Sequence, residues 1–183
     1  MKSMKINHET AVFGGGCFWC LEEIFLQING VESVESGYAG GSREEPSYKE
    51  VCSGETGHAE VIKIEFDPEI VSYDQLLEVF FYIHDPTTLN RQGNDVGEQY
   101  RSVIFFTSVE QKKSVLEFIN NSENKKIFPG RVVTEIKPLE KFYRAEYYHQ
   151  KYFMNNPSQP YCQLIITPKI RKFREKFVGL LKQ

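Results

Sequence analysis

Ala11-Val12-Phe13-Gly14-Gly15-Gly16-Cys17-Phe18-Trp19-Cys20 changes period half-way along, and that change sets the reading of the whole chain. Before the glycines the apolar run reads as a strand over 10–13. After them Phe18, Leu21, Phe25 and Ile28 return at helical spacing, so a helix is expected over 17–28 and stops at Asn29-Gly30. A thiol at the first turn of a helix meets free N–H groups and the positive end of the helix dipole, which favour thiolate. The glycines leave room for a substrate to approach the sulfur. Cys17 is therefore a candidate nucleophile, with Phe18 and Trp19 forming an apolar pocket beside it.

Working outward, Val31 to Tyr38 reads as a second strand and His58 to Phe66 as a third, alternating so that Glu60, Ile62, Ile64 and Phe66 share one face. Ser72-Tyr73-Asp74-Gln75 is a capping box opening a helix that buries Leu76, Leu77, Phe80 and Ile83 and ends at Asp85-Pro86. Thr87 to Gln99 reads as a loop, and Ser102 to Phe106 as a central strand. Thr107 to Glu110 is a second capping box, opening a helix to about Asn120. A fifth strand is expected over Val132 to Ile136, a Tyr-rich helix over Ala145 to Met154, and a Pro-containing loop over Asn155 to Tyr161. From Pro168 an amphipathic helix carries Ile170, Phe173, Phe177, Leu180 and Leu181 on one stripe. The first part of the chain runs β-α-β-β-α-β. The expected fold is thus α+β: a ferredoxin-like core with a mixed sheet, added helices and a C-terminal coil arm, in a single domain over 1–183.

Composition sets outer limits on function. The chain has 183 residues, 40% hydrophobic and 26% charged, with a net charge of −3 that gives no reason to expect nucleic acid or an anionic membrane. Met1 to Asn7 carries no signal-peptide pattern, and no apolar run approaches the ~20 residues of a membrane span. Four cysteines in such a chain suit redox chemistry in a reducing compartment, so a cytoplasmic location is expected. No dedicated interface stripe stands out, and a monomer is expected.

Taken alone, Cys17-x-x-Cys20 fits a thioredoxin-like redox pair, half of a zinc site, or a nucleophile beside an accessory thiol. Zinc wants four ligands in close-spaced pairs, whereas Cys52 and Cys162 are isolated and no His-x₃₋₅-His pair exists. The spacing speaks against a metal. Against the thioredoxin pattern, Trp19 lies between the cysteines rather than before them. A carboxyl on the apolar face of a strand has its pKa raised, so Glu60 is a candidate proton donor. Its alternative is a strand-end residue already in water. Tyr48, Tyr100 and Asp95 lie in or beside loops and cannot be singled out by spacing, and His149 is expected to be structural. Cys162 follows a stretch suited to a movable arm, from which a thiol can reach a distant sulfur.

Several ordered blocks resemble one family, the type A peptide methionine sulfoxide reductases. They are Gly16-Cys17-Phe18-Trp19, Gly37 to Gly41, Tyr48 to Gly54, Thr56 to Glu60, His84 to Thr87, Arg91 to Asp95, Gln99 to Ser102, and Ala145 to Tyr152 with Asn156-Pro157. The resemblance implies reduction of the S-epimer of methionine sulfoxide, in proteins and as the free amino acid, without a bound cofactor. It implies that Cys17 attacks the sulfoxide sulfur, that Glu60 protonates the oxygen, and that Tyr48, Tyr100 and Asp95 bond or position it. Phe18 and Trp19 would cup the methyl group. Cys17 would be left as sulfenic acid, be resolved to a disulfide by a second thiol, and be returned to dithiol by thioredoxin, or by dithiothreitol in vitro. Two departures stand out: many members have glycine where this chain has Cys20, and no cysteine follows Cys162. Cys162 could resolve Cys17 directly, Cys20 could relay the disulfide, or Cys17 could bridge to Cys20. The first is favoured.

Overall fold

The computed structural model describes residues 8–183; the stretch Met1 to Asn7, read above as free of a signal-peptide pattern, lies outside them. Six strands form one sheet: β1 (Glu9–Gly14), β2 (Val31–Ala39), β3 (Ala59–Phe66), β6 (Val103–Phe106), β7 (Glu135–Pro138) and β8 (Phe142–Arg144). Their order is β7-β6-β1-β3-β2-β8, and only the β6–β7 pair is parallel. Between them run the helices α1 (Phe18–Leu26), α2 (Tyr48–Cys52), α3 (Tyr73–Ile83), α4 (Val109–Asn124), α5 (Tyr152–Asn155) and α6 (Thr167–Lys176). No helix among the described residues is long and apolar enough to cross a membrane.

Strand parity sorts the core into two layers. On one face Ala11, Phe13, Ile62, Ile64, Phe66 and Ile104 pack with the buried residues of α1, α3 and α6. Phe13 is its centre, stacked on Phe80 with centroids 4.8 Å apart and tilted against Phe25 at 5.8 Å. On the other face Val12, Ala39, Ala59, Val61, Val103 and Phe105 form a smaller layer under Leu139 and Phe142. Both ends of α3 follow the sequence: Ser72 and Gln75 make the capping box, and the helix stops before Asp85-Pro86.

Other elements depart from the pattern. The loop Thr87–Gln99 contains a small hairpin, β4 (Arg91–Gln92) with β5 (Asp95–Val96), turning at Gly93-Asn94. The cap of α4 falls one residue later than expected: the Ser108 side chain accepts from the Gln111 N–H, while the Gln111 side-chain oxygen Oε1 takes the Thr107 N–H at 3.0 Å. The fifth strand sits at Glu135–Pro138 rather than Val132 to Ile136, because its register is set by parallel pairing to β6. The short edge strand β8 has no apolar alternation to announce it.

The Tyr-rich helix is not one helix. A 3₁₀ turn at Tyr147–His149 is followed by Lys151 at φ +51°, and only then by α5. The backbone groups that would continue a helix are engaged elsewhere. The Gln150 side chain bonds both backbone groups of Ser36 and the carbonyl of Ala145 (2.9–3.0 Å), and the Lys151 N–H goes to Glu22 at 2.7 Å. Nor does Cys162 lie on a coil arm. It begins a π-turn, Cys162–Ile166, that runs into α6, and it is fully buried. Pro168 supplies the reason for the wide turn, since it has no N–H for a regular i→i−4 bond and its ring crowds the carbonyl four residues back. The last helix ends at Lys176. Leu180 belongs to a 3₁₀ turn and Leu181 bridges Ile28, so the stripe is completed by two segments.

The three glycines serve the backbone rather than access to sulfur. A Cβ at Gly14 would lie 2.8 Å from the Glu60 carbonyl oxygen and from Val103. One at Gly15 would meet Phe80 and His84, and Gly16 has φ +97° with Gln92 against it. Gly14→Ala should therefore destabilise the fold by roughly 1–3 kcal/mol through overpacking. In a thermal melt followed by circular dichroism we expect a loss of about 5 °C in Tm. An unchanged melt would mean that β1 and β3 can separate freely at this point.

Candidate active site

Cys17 is the N-cap of α1, in extended conformation, and so stands where β1 hands over to the helix. Of the first free N–H groups, that of Phe18 donates to Glu60 Oε2 at 3.1 Å and that of Trp19 points to the Cys17 sulfur. The helix start is thus shared between a thiol and a carboxyl. Glu60 is 1% exposed, on the helix-covered face of β3, which excludes the alternative of a strand-end residue in water. Burial lifts its pKa to about 8 against the pull of the Phe18 N–H, and the charge of Asp95 adds to the rise. Near neutral pH Glu60 holds a proton.

The thiolate expected from the helix terminus is corrected here. Burial pushes the Cys17 thiol well up, a charged Glu60 would push it further, and the Trp19 N–H and Tyr161 hydroxyl only partly oppose them. Desolvation favours the neutral thiol. The resting site therefore holds a thiol and a neutral carboxyl together.

Around this pair the fold gathers the polar groups that spacing could not single out. Tyr48 opens α2 behind the Ser47 cap, its N–H bonded to Glu146 at 2.7 Å and its hydroxyl to the Cys52 thiol. Tyr100 closes a 3₁₀ turn, Glu98–Tyr100, and feels Glu60, Cys17, Cys52 and Asp95. Burial raises both tyrosines far above neutral pH, so their hydroxyls remain donors. Asp95, on β5, accepts the Tyr161 hydroxyl at 2.6 Å. Among the described residues no group of three or more His, Cys, Asp or Glu could hold a metal ion.

The aromatic pair divides its duties. Phe18 is completely buried, 5.8 Å from the Tyr38 ring and 5.1 Å from His149. Trp19 is half-buried, stacked on Tyr152 at 3.7 Å and 7°, with its indole N–H donated to His149 Nδ1 at 3.0 Å.

The family model for peptide methionine sulfoxide reductase matches residues 9–180. The chain belongs to that family. A protein named peptide methionine sulfoxide reductase MsrA, from Polynucleobacter asymbioticus, is 56% identical over 173 residues, covering 94% of this chain and 91% of its own. The crystal structure of Mxr1 from Saccharomyces cerevisiae in reduced form superposes with a TM-score of 0.77 at 34% identity, covering 88% of this chain and 94% of that one. The structure of Mxr1 in complex with Trx2 shares the fold, with a TM-score of 0.55 at 24% identity over 82% of this chain and 91% of that one. The protein is thus an MsrA-type methionine sulfoxide reductase, an oxidoreductase.

In this reductase all four cysteines are free thiols. The charge of Cys20 acts on Cys17, and Cys20 in turn feels Lys169 of α6 as well as Asp95 and Glu23. Cys162 acts on neither of them; only burial raises its thiol. The residues that sequence reasoning missed lie in the segment without period. Tyr161 covers the reductase's Cys17 and bonds Asp95, Glu146 anchors Tyr48 and accepts the Tyr38 hydroxyl at 2.8 Å, and His149 and Tyr152 hold Trp19. Apart from Tyr161, their one signal was the block Ala145 to Tyr152.

Proposed function

We propose that this reductase acts on the S-epimer of methionine sulfoxide, in proteins and as the free amino acid, through a sulfenic acid on Cys17. The observation that carries the reading is the buried, protonated Glu60 sharing the start of α1 with the Cys17 thiol. As the thiol attacks the sulfoxide sulfur, negative charge develops on oxygen. Glu60 delivers a proton to it, and the Tyr48 and Tyr100 hydroxyls donate hydrogen bonds, with Asp95 ordering the polar side. The Glu60 carboxylate left by that transfer takes the Cys17 S–H proton, so the thiol attacks as thiolate and the pair of groups keeps its net charge. Trp19, with Phe18 beneath, cups the methyl group. Oxygen passes to Cys17, methionine leaves, and Cys17 is oxidised by two electrons to sulfenic acid.

Cys162 then attacks Cys17, forming the S–S bond and releasing water, and a thioredoxin dithiol reduces the disulfide. This step needs Cys162 to leave its buried place in the π-turn, and such turns are frequent at functional sites. The strand order β6-β1-β3-β2, all antiparallel and linked by α1 and α3, supports a ferredoxin-like core beneath the site. Four free thiols are in keeping with a cytoplasmic location, and the monomer is proposed from the lack of a dedicated interface stripe in the sequence.

The test of substrate is turnover of the two sulfoxide epimers with dithiothreitol: consumption of the S-epimer alone is expected, and consumption of the R-epimer instead would reject the reading. For recycling, Cys162→Ser should complete one turnover and then stall with thioredoxin, whereas Cys20→Ser should keep turning over. The reverse pattern, with Cys17 bridged to Cys20 in the mass spectrum, would transfer the resolving role to Cys20.

A further inference from the structure

Glu22 is the buried carboxyl that the chemistry leaves unused. It lies on α1, 1% exposed, one helical turn from Phe18 and next to Leu21. One of its oxygens, Oε2, accepts the Lys151 N–H at 2.7 Å, and the carboxylate also feels the neighbouring Tyr152 N–H. The other, Oε1, is buried without a partner. A half-satisfied carboxyl in the core is an expensive arrangement, and it sits under an equally unusual backbone. Lys151 has φ +51°, a conformation that a lysine holds only when its surroundings impose it. Immediately after that turn comes Tyr152, whose ring lies flat on Trp19.

We propose that Glu22 is a positioning residue for the sulfoxide pocket: by accepting the backbone N–H of Lys151 it fixes the left-handed turn that sets Tyr152 against Trp19. The inference rests on the reading of Trp19 as a wall of the methyl pocket. The chain of contacts is short. Glu22 and Trp19 leave the same helix three residues apart, so the turn at Lys151 is bound at one point to the helix that also carries the indole. Without the acceptor the Lys151 N–H loses its partner, and the residue loses what holds it at positive φ. Tyr152 then has no reason to stay parallel to the indole. His149 fixes the other edge of Trp19 through its Nδ1, so loss of the clamp frees one face of the ring and leaves the other side held.

Trp19 is the only tryptophan of the chain, so intrinsic fluorescence reports on this ring alone. The variants are Glu22→Ala, Glu22→Gln, Tyr152→Ala and Glu22→Ala with Tyr152→Ala, each checked for its far-ultraviolet circular dichroism and thermal melt. Glu22→Ala should shift Trp19 emission and raise its acrylamide quenching as Tyr152→Ala does. It should also raise the KM for methionine S-sulfoxide with dithiothreitol by about fivefold, the size of one aromatic contact, while kcat changes little. The double variant should go no further than either single one, since both act on one contact. Glu22→Gln retains a carbonyl acceptor and should keep the wild-type spectrum. An unchanged Trp19 spectrum in Glu22→Ala, additive effects in the double variant, or a Gln variant as impaired as the Ala variant would each overturn the proposal. If the spectra respond as expected while KM stays fixed in Tyr152→Ala and Glu22→Ala alike, the clamp stands and the pocket reading of Trp19 falls.

Discussion

Cys17→Ser should lose methionine sulfoxide reduction by on the order of 10⁴-fold or more, the scale on which removal of a covalent nucleophile is felt. The structure adds a reason beyond the identity of the atom. Cys17 is the N-cap of α1, and serine is among the residues that position prefers, so the substitution should leave the helix and the fold intact. A hydroxyl there is far less acidic than a thiol, and burial, which already pushes the thiol up, would keep it protonated. Circular dichroism and thermal melts should thus match the wild type while turnover of the S-epimer with dithiothreitol disappears. Turnover within tenfold of the wild type would remove Cys17 from the mechanism.

The second large effect is on Glu60. Glu60→Gln should lower kcat/KM by roughly 10²- to 10⁴-fold, the usual contribution of a positioned general acid, because the amide can still accept the Phe18 N–H but has no proton to give. Its stability should move the other way. In the folded chain Glu60 holds its proton up to about pH 8, whereas its ordinary value is 4.5, so between these limits the folded state binds more protons than the unfolded one. Stability falls as pH rises through that window, and the penalty is complete above pH 8 at a few kcal/mol, to order of magnitude. Glutamine does not ionise. The variant should therefore melt higher than the wild type at pH 9, and the difference should shrink towards pH 4. Wild-type kcat/KM should fall as pH rises through about 8, as the free enzyme loses its acid. A wild type and a Glu60→Gln variant with the same melting temperature at pH 9 would show that Glu60 is not a desolvated carboxyl.

What was legible in the sequence follows from periodicity and capping. Glu60 was placed on the face of Ile62, Ile64 and Phe66 by a two-residue period alone, and it is buried there. The capping box at Ser72 and the stop at Asp85-Pro86 gave α3 its limits. The rest was set by long-range contacts that leave no local trace. Gly14, Gly15 and Gly16 looked like an opening to sulfur, yet their neighbours come from β3, β6, α3 and β4, far away in sequence. Ala145 to Met154 had the composition of a helix, but the Gln150 side chain takes the Ala145 carbonyl and Glu22 takes the Lys151 N–H that would have built it. The acidity of Cys17 was argued from the helix end without the burial that β3 imposes on it. Tyr161, Glu146 and His149 reach the site only because their segment folds back over α1 and α2.

The transfer of the sulfoxide oxygen to Cys17 can be observed directly in a Cys20→Ser, Cys162→Ser variant, in which no second thiol of the favoured routes can remove the product. Mixed with methionine S-sulfoxide in the absence of reductant and trapped with dimedone, it should yield one methionine per chain, and peptide mass spectrometry should find the adduct on Cys17. Methionine formed in that amount with Cys17 unmodified, or with the adduct on Cys52, would contradict the account.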